Sequence, residues 1–163
     1  MIRPATYEDT QSITHIYNHY VENTTVTFEE QVVKRSDMQT RITAITNLGL
    51  PWLVYEKASK VIGYAYASQW NTRSAYRNTI EVTIYLSPHC VGKGLGTALY
   101  QALFTQLKDD GYHTAIAGIT LPNPASINLH EKLGLRKVGH FKQVGYKFGR
   151  WLDVGYWQSN LKG

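Results

Sequence analysis

The chain has 163 residues, 43% apolar and 18% charged, with a formal net charge of +5. That length suits one domain, here 1–163, and no apolar run is long enough to span a bilayer. The opening MIRPATYEDT lacks a basic-then-apolar leader, and the single cysteine, Cys90, excludes an internal disulfide framework and a cysteine-based metal site within one chain. A cytoplasmic protein without a metal is therefore expected.

In chain order, residues 2–5 read as a short strand. Thr6 with Asp9 resembles a capping box that opens a helix, with Ile13, Ile16, Tyr17, Tyr20 and Val21 on one face. A weaker helix is expected over 34–47, ending before Gly49 and Pro51. Strands follow at 52–56 and 61–67, joined by a turn at 57–60, and then a polar loop at 71–78. Residues 80–86, IEVTIYL, alternate strictly: Ile80, Val82, Ile84 and Leu86 point one way, and Glu81, Thr83 and Tyr85 the other, on what reads as a polar face.

The segment VGKGLG at 91–96 runs into a helix whose apolar face is Leu95, Leu99, Leu103 and Leu107. Residues 113–120 read as a strand. Asn123 caps a short helix, with Pro124 in its first turn and Gly134 past its end. The Gly- and aromatic-rich tail from Leu135 to Leu161 reads as two closing strands joined near Gly145. This order, with runs of neighbouring strands between a few helices, indicates a mixed α/β fold and not a repeating β-α barrel.

The charge is unevenly placed. Residues 1–80 carry eight basic and seven acidic side chains, and residues 81–163 carry nine and five. Lys132, Arg136, Lys137, Lys142, Lys147 and Arg150 follow one another without an intervening acid after Glu131. Such a half attracts a polyanion, either nucleic acid or a phosphate-rich cofactor, or is simply a solvated surface.

Three constellations carry candidate chemistry. The first is the strand–Gly92-Lys93-Gly94-Leu95-Gly96–helix unit. Its glycines admit a ligand close to the backbone, and the amides of a helix N-terminus bind phosphate oxygens. It has neither the Walker ending nor the dinucleotide GxGxxG spacing. Taken alone, it also fits a tight turn that needs small residues. The second is Glu81, about ten residues before that loop on the strand feeding it. Attack by an amine on a thioester needs the neutral amine, and a nearby carboxylate can take its proton, directly or through one water. The third is Asn123, Ser126 and His130, in which His130 lies two turns from the cap and titrates near neutrality, as an acid for a leaving thiolate would. In the polar loop, Arg73 with Tyr76 offers a clamp for a substrate carboxylate, and Phe28 lies after the first helix.

Together these residues resemble the GNAT superfamily of N-acetyltransferases, and within it the phosphinothricin N-acetyltransferase-like branch. The resemblance covers nearly the whole chain. It rests on YNHYVENTTVTF at 17–28, GYAYASQWNTRSAYRNTIEVTIYLSP at 63–88, VGKGLGTALY at 91–100, LPNPASINLHEKLG at 121–134 and VGYKFGRWLDVGYWQ at 144–158.

The resemblance implies a mixed, mostly antiparallel sheet with helices on both faces, splayed between 80–86 and 113–120 to admit acetyl-CoA. The pantetheine arm would pair with main chain at Ile84, Tyr85 and Leu86. The pyrophosphate would lie on the amides of Gly92, Lys93, Gly94, Leu95, Gly96 and Thr97, and Asn123 and Ser126 would also contact the cofactor. Glu81 matches the family's general base, and Phe28, Arg73 and Tyr76 match its substrate side. Relatives are commonly homodimers built through the C-terminal strands, so a homodimer is expected.

Two positions depart from the superfamily pattern. Val91 stands where the loop usually begins with Gln or Arg, and His130 stands where many members carry Tyr. The resemblance implies direct transfer in a ternary complex to a small amino-acid-like amine, with His130 or a water protonating the thiolate. The readings that compete with it are acetylation of a polyamine, an aminoglycoside or a protein N-terminus, an acetyl-CoA sensor without catalysis, and a nucleic-acid-binding module. Neither a nucleic-acid nor a membrane partner is expected.

Overall fold

Seven strands form one sheet in the order β1-β2-β3-β4-β5-β7-β6 in a computed structural model that describes residues 1–162. The strands are β1 (Ile2–Pro4), β2 (Trp52–Lys57), β3 (Lys60–Gln69), β4 (Thr79–Leu86), β5 (Thr114–Leu121), β6 (Arg136–Lys147) and β7 (Arg150–Asn160). The helices are α1 (Thr10–Asn23), α2 (Arg35–Asn47), α3 (Leu95–Asp109) and α4 (Pro124–Lys132). The mixed α/β architecture matches the sequence expectation.

Strand alternation assigns the two faces. Even-numbered Ile80 and Val82 join Ala65, Ala67, Ala115 and Ala117 beneath Leu99, Leu103 and Leu107 of α3. Small side chains on the sheet let the leucine row of the helix sit close, which is why this face is tightly sealed. The opposite face is aromatic: Trp52, Tyr64, Tyr66 and Tyr85 pack against Ile13, Ile16 and Val21 of α1 and Met38 and Ile42 of α2. The face reading of β4 as apolar against polar is thus corrected. Its odd side is a helix-covered aromatic layer with Glu81 at one end.

The sheet is antiparallel except between β4 and β5, where pairing covers only Thr79↔Thr114, Ile80↔Ala115 and Glu81↔Ile116. Beyond Glu81 the two strands part. On its other side β4 stays paired to β3 through Leu86↔Gly63. Every other residue of a strand turns its main-chain groups toward a given neighbour. Ser87 N donates to Ile62 O at 2.8 Å, and Asn78 O accepts from His113 N at 2.9 Å. Odd residues therefore face β3, and even residues face the opening.

The closing hairpin turns at Phe148 and Gly149, not near Gly145 as the sequence suggested. Gly145 lies within β6, where a Cβ would stand 2.3 Å from the ring of Phe28. Its signal in the sequence comes from a close approach between elements and not from a turn.

Candidate active site

The parting of β4 from β5 opens a groove of about 410 Å³. One wall is Val91, Gly92, Gly94, Gly96 and Thr97, leading to Leu86 and Ile84, and the other is Asn123, Ala125, Ser126 and Leu129 of α4. Gly92 and Gly94 adopt φ of 75° and 76°, a region that other residues enter at a cost, and Gly94 caps α3. The first turn of α3 has no intrahelical acceptors for its amides, so the amides of Leu95, Gly96 and Thr97 are free to meet an anion. Lys93 is exposed and Leu95 half-buried, and neither side chain lines the groove, so what each offers the groove itself is its amide.

Further in, main-chain groups of even residues face the cleft. Ile84 presents its own, while the carbonyl of Leu86 accepts a hydrogen bond from the Tyr20 hydroxyl. Tyr85 differs from its neighbours because its main chain faces β3. Its side chain meets Tyr17 and Tyr20 across the aromatic layer, with ring centroids 5.3 and 5.2 Å apart.

The groove ends in a smaller recess between Val82–Tyr85 and Gly118–Thr120, reached by Asn123, Ser126, Tyr100 and His130. Asn123 caps α4 as expected, accepting from Ser126 N at 3.1 Å. His130 is buried. Its Nδ1 lies 2.7 Å from the Ser126 carbonyl, which can only accept, so Nδ1 carries the proton. Nε2 then accepts from the Tyr100 hydroxyl at 3.1 Å. Burial pushes the imidazole below its ordinary value, outweighing the Ser126 contact, so His130 is neutral near pH 7 with both nitrogens engaged.

Glu81 is the last β4 residue paired to β5 and stands at the crotch of the opening. Burial alone lifts its carboxyl above the usual carboxylate range. The face it shares with Ile116 continues to Gly118, against which the ring of Tyr156 lies 3.1 Å from where a Cβ would stand.

The expected substrate-side residues lie on two loops. Arg73 and Tyr76 are exposed on the loop that leads into β4, two strand positions or more before Glu81. Phe28 is on the loop between α1 and α2, laid on Gly145. That loop is held from below by Lys147, which was grouped with the surface cations from sequence. The side chain is only 1% exposed and donates to the Thr27 carbonyl at 2.8 Å. Tyr20 and Tyr100 also escaped the sequence reading, because each occupies a helix position that fits a core face.

The Acetyltransferase (GNAT) domain family matches residues 2–155. The chain belongs to the GNAT family. It is 40% identical to the phosphinothricin N-acetyltransferase of Streptomyces viridochromogenes, over 99% of this chain and 87% of that protein. It is also 40% identical to the L-methionine sulfoximine/L-methionine sulfone acetyltransferase of Pseudomonas paraeruginosa, over 98% of this chain and 94% of that protein. The crystal structure of a GNAT phosphinothricin acetyltransferase from Sinorhizobium meliloti in complex with acetyl-CoA superposes with a TM-score of 0.95 at 41% identity, covering 98% of this chain and 87% of that one. The splay, glycine loop and groove described above are therefore features of a GNAT acetyltransferase.

No helix is long and apolar enough to cross a membrane, and no cluster of three metal-ligating side chains occurs among the described residues.

Proposed function

We propose that this GNAT enzyme acetylates the α-amino group of a small amino-acid analogue of the methionine sulfone, methionine sulfoximine or phosphinothricin type. The observation that carries the reading is the position of Glu81: a desolvated carboxylate at the point where β4 leaves β5, next in the chain to Val82 and Thr83, which line the recess beyond the groove. The names of the relatives supply the substrate class.

The residues fit acetyl-CoA. The loop and α3 amides suit a pyrophosphate, the main chain of Ile84 suits an amide-bearing arm, and Asn123 and Ser126 line the same groove. When bound, the cosubstrate supplies an acyl group activated as a thioester. Glu81 accepts a proton from the incoming ammonium, directly or through one water, and its raised affinity for protons brings it closer to that task. Main-chain N–H groups of the splayed half of β4 face the acyl oxygen, where negative charge develops. A water returns the proton to the departing sulfur. His130 suits that role poorly, being neutral with Nδ1 and Nε2 both occupied, and instead fixes Tyr100 and the start of α4. The reaction uses no metal and gives no role to nucleic acid or a membrane, and a cytoplasmic site suits the one free cysteine.

The test is CoA-thiol release against methionine sulfone, methionine sulfoximine, phosphinothricin, common amino acids, spermidine and an aminoglycoside. Turnover of an amino-acid analogue is expected, with Glu81→Gln slower by about two to four orders of magnitude. Preference for the polyamine or the aminoglycoside, or a near-normal Glu81→Gln enzyme at neutral pH, overturns the reading.

A second copy of the chain belongs to the same proposal. Val138, Phe141, Val144, Tyr146, Phe148 and Trp151 on the β6–β7 hairpin are each more than half exposed, from 54% to 63%. Scattered exposed apolar residues are ordinary, but six on one hairpin support the reading of an interface. Sedimentation should give twice the 18.5 kDa of one chain. A single-chain mass at micromolar concentration removes the dimer from the proposal.

A further inference from the structure

Glu81 is half-buried, yet it lines neither the groove nor the recess. Two aromatic rings that the groove does not use reach over its part of the sheet. We propose that Trp70 and Tyr156 form an aromatic bridge across β4 and β5 that keeps water from the Glu81 carboxylate, and that these two rings are positioning residues that set its strength as a base. The inference rests on the reading of Glu81 as the base.

Position comes first. Tyr64 and Tyr66 of β3 stand on the aromatic face, so alternation puts Ser68, the strand partner of Glu81, and then Trp70 on the same side. Glu81 pairs in turn with Ile116, and Gly118, two residues on, pairs with Tyr156, which therefore shares that face. Trp70 follows Gln69, the partner of Ile80, so Glu81 and Ile116 lie on the line that joins the two rings. β3 and β7 are three strand spacings apart, about 14 Å. The rings of Trp70 and Tyr156 nevertheless meet edge to face, with centroids 5.8 Å apart. Each side chain must lean inward over the intervening strands to do so.

The sequence provides for that lean. Gly118 has no side chain, and Cε1 and Cζ of Tyr156 lie 3.1 and 3.5 Å from where its Cβ would stand. Phe141 of β6 backs the tyrosine edge to face, with centroids 5.7 Å apart. Rings of this size displace water without adding a charge, and a carboxylate that loses hydration holds its proton more tightly. No other group accounts for the behaviour of Glu81. Burial is the one cause of its raised affinity for protons, and no cation pairs with it among the described residues. Ser68 and Ile116, its strand partners, do not titrate, and Arg73 and Arg77 of the following loop are exposed. The titratable groups that feel its charge are Tyr66 from β3, Tyr100 from α3 and Tyr156 from β7, each a phenol that stays neutral at the pH of the reaction.

The test is the pH dependence of kcat/KM for the amine in the wild type, Trp70→Ala and Trp70→Phe. Trp70→Ala opens the bridge, so the acid limb of its profile should move to lower pH and its plateau should fall about threefold or more, because a weaker base transfers a proton less efficiently. Trp70→Phe keeps a ring and should stay near the wild type. The Kd for acetyl-CoA should be unchanged in both. Tyr156→Ala should move the limb as Trp70→Ala does, and Tyr156→Phe should leave it in place. A lower rate with an unmoved limb would mean that the rings serve the fold alone, and a limb that moves equally in Tyr156→Phe would mean that the hydroxyl acts and not the ring. Either result overturns the proposal.

A second measurement needs no turnover. The Glu81 carboxyl, assigned by its loss in Glu81→Gln, can be titrated by carbon-detected NMR in the substrate-free protein. It should titrate at lower pH in Trp70→Ala than in the wild type. Gly118→Ala, which displaces the Tyr156 ring by a few tenths of an ångström and keeps both rings, should shift it the same way and gives the reading should Trp70→Ala not fold. A carboxyl that titrates alike in all three overturns the bridge. If the wild type acetylates no amino acid, or Glu81→Gln is near-normal, the proposed function fails. If the enzyme is active and Glu81-dependent but its carboxyl does not move, only the bridge fails.

Discussion

The groove and the aromatic cavity of about 140 Å³ beneath α1 and α2 share Tyr85 but are built from different materials. The groove uses main-chain amides, two left-handed glycines and a strand whose even residues have lost their partner. The cavity is lined by side chains: Tyr17 from α1, Met38 and Arg41 from α2, Trp52 from β2, Tyr64 and Tyr66 from β3, and Tyr85 from β4. A site made of backbone recognises what every acyl-CoA shares, and many side chains can change around it without moving a donor. A site made of side chains can be altered one contact at a time, and specificity differences of about 1–3 kcal/mol arise that way.

The contrast predicts that the two halves can be broken separately, and the largest effect should come from the glycine loop. Gly94→Val forces a β-branched residue into a backbone with φ of 76°. The loop must reshape, taking its amides with it, so the Kd for acetyl-CoA measured by calorimetry should rise about 10- to 100-fold. A normal Kd would mean that the phosphate contacts come from elsewhere, with the exposed Lys93 side chain the first alternative.

Gly145→Ala acts away from the groove, on the loop between α1 and α2, with a smaller expected effect. The added methyl would stand 2.3 Å from Phe28, and that ring, 39% exposed, can swing away. A substrate-side group displaced by about 1 Å can reduce turnover substantially. We expect kcat/KM for the amine to fall about tenfold while the Kd for acetyl-CoA is unchanged. If both constants move together, the loop between α1 and α2 supports the groove as well, and the separation drawn here is wrong.

The same contrast explains what could be read from the chain. Most of the groove lies in one stretch, from Ile84 through Gly96 to Thr97, with Asn123 and Ser126 a short distance on. Period-two alternation, glycines and a helix cap each leave a local mark, so the fold and this half were legible. The aromatic cavity draws on five elements, and its residues carry no mark that separates a cavity wall from core. Trp52, Tyr64 and Tyr66 read as ordinary strand residues. Lys147 read as one of six surface cations, because only the fold of the hairpin beneath the α1–α2 loop buries it. Gly145 left a strong mark that was assigned to a turn, since a glycine needed for close approach and one needed for chain reversal look alike in a sequence.

The smallest expected effect concerns Glu81, where β4 leaves β5. Glu81 binds its proton more tightly folded than unfolded because burial disfavours its charge. The stability linked to that protonation is present below the unfolded carboxyl's range and is lost as pH rises through the raised folded value. At neutral pH and above, the folded enzyme therefore carries a charge that it would be more stable without. Glu81→Gln replaces it with a neutral group of the same shape, and the partial exposure of the site limits the gain. Thermal unfolding should show the variant melting about 1–3 °C higher than the wild type at pH 8, with the gap closing as the pH falls through the carboxyl's titration. The wild-type kcat/KM should fall over the same interval, because the unprotonated base is the active form. A variant that melts at or below the wild type at pH 8 would mean that Glu81 is stabilised by a partner in solution, and the strain that makes it a base would have to come from the bound substrate instead.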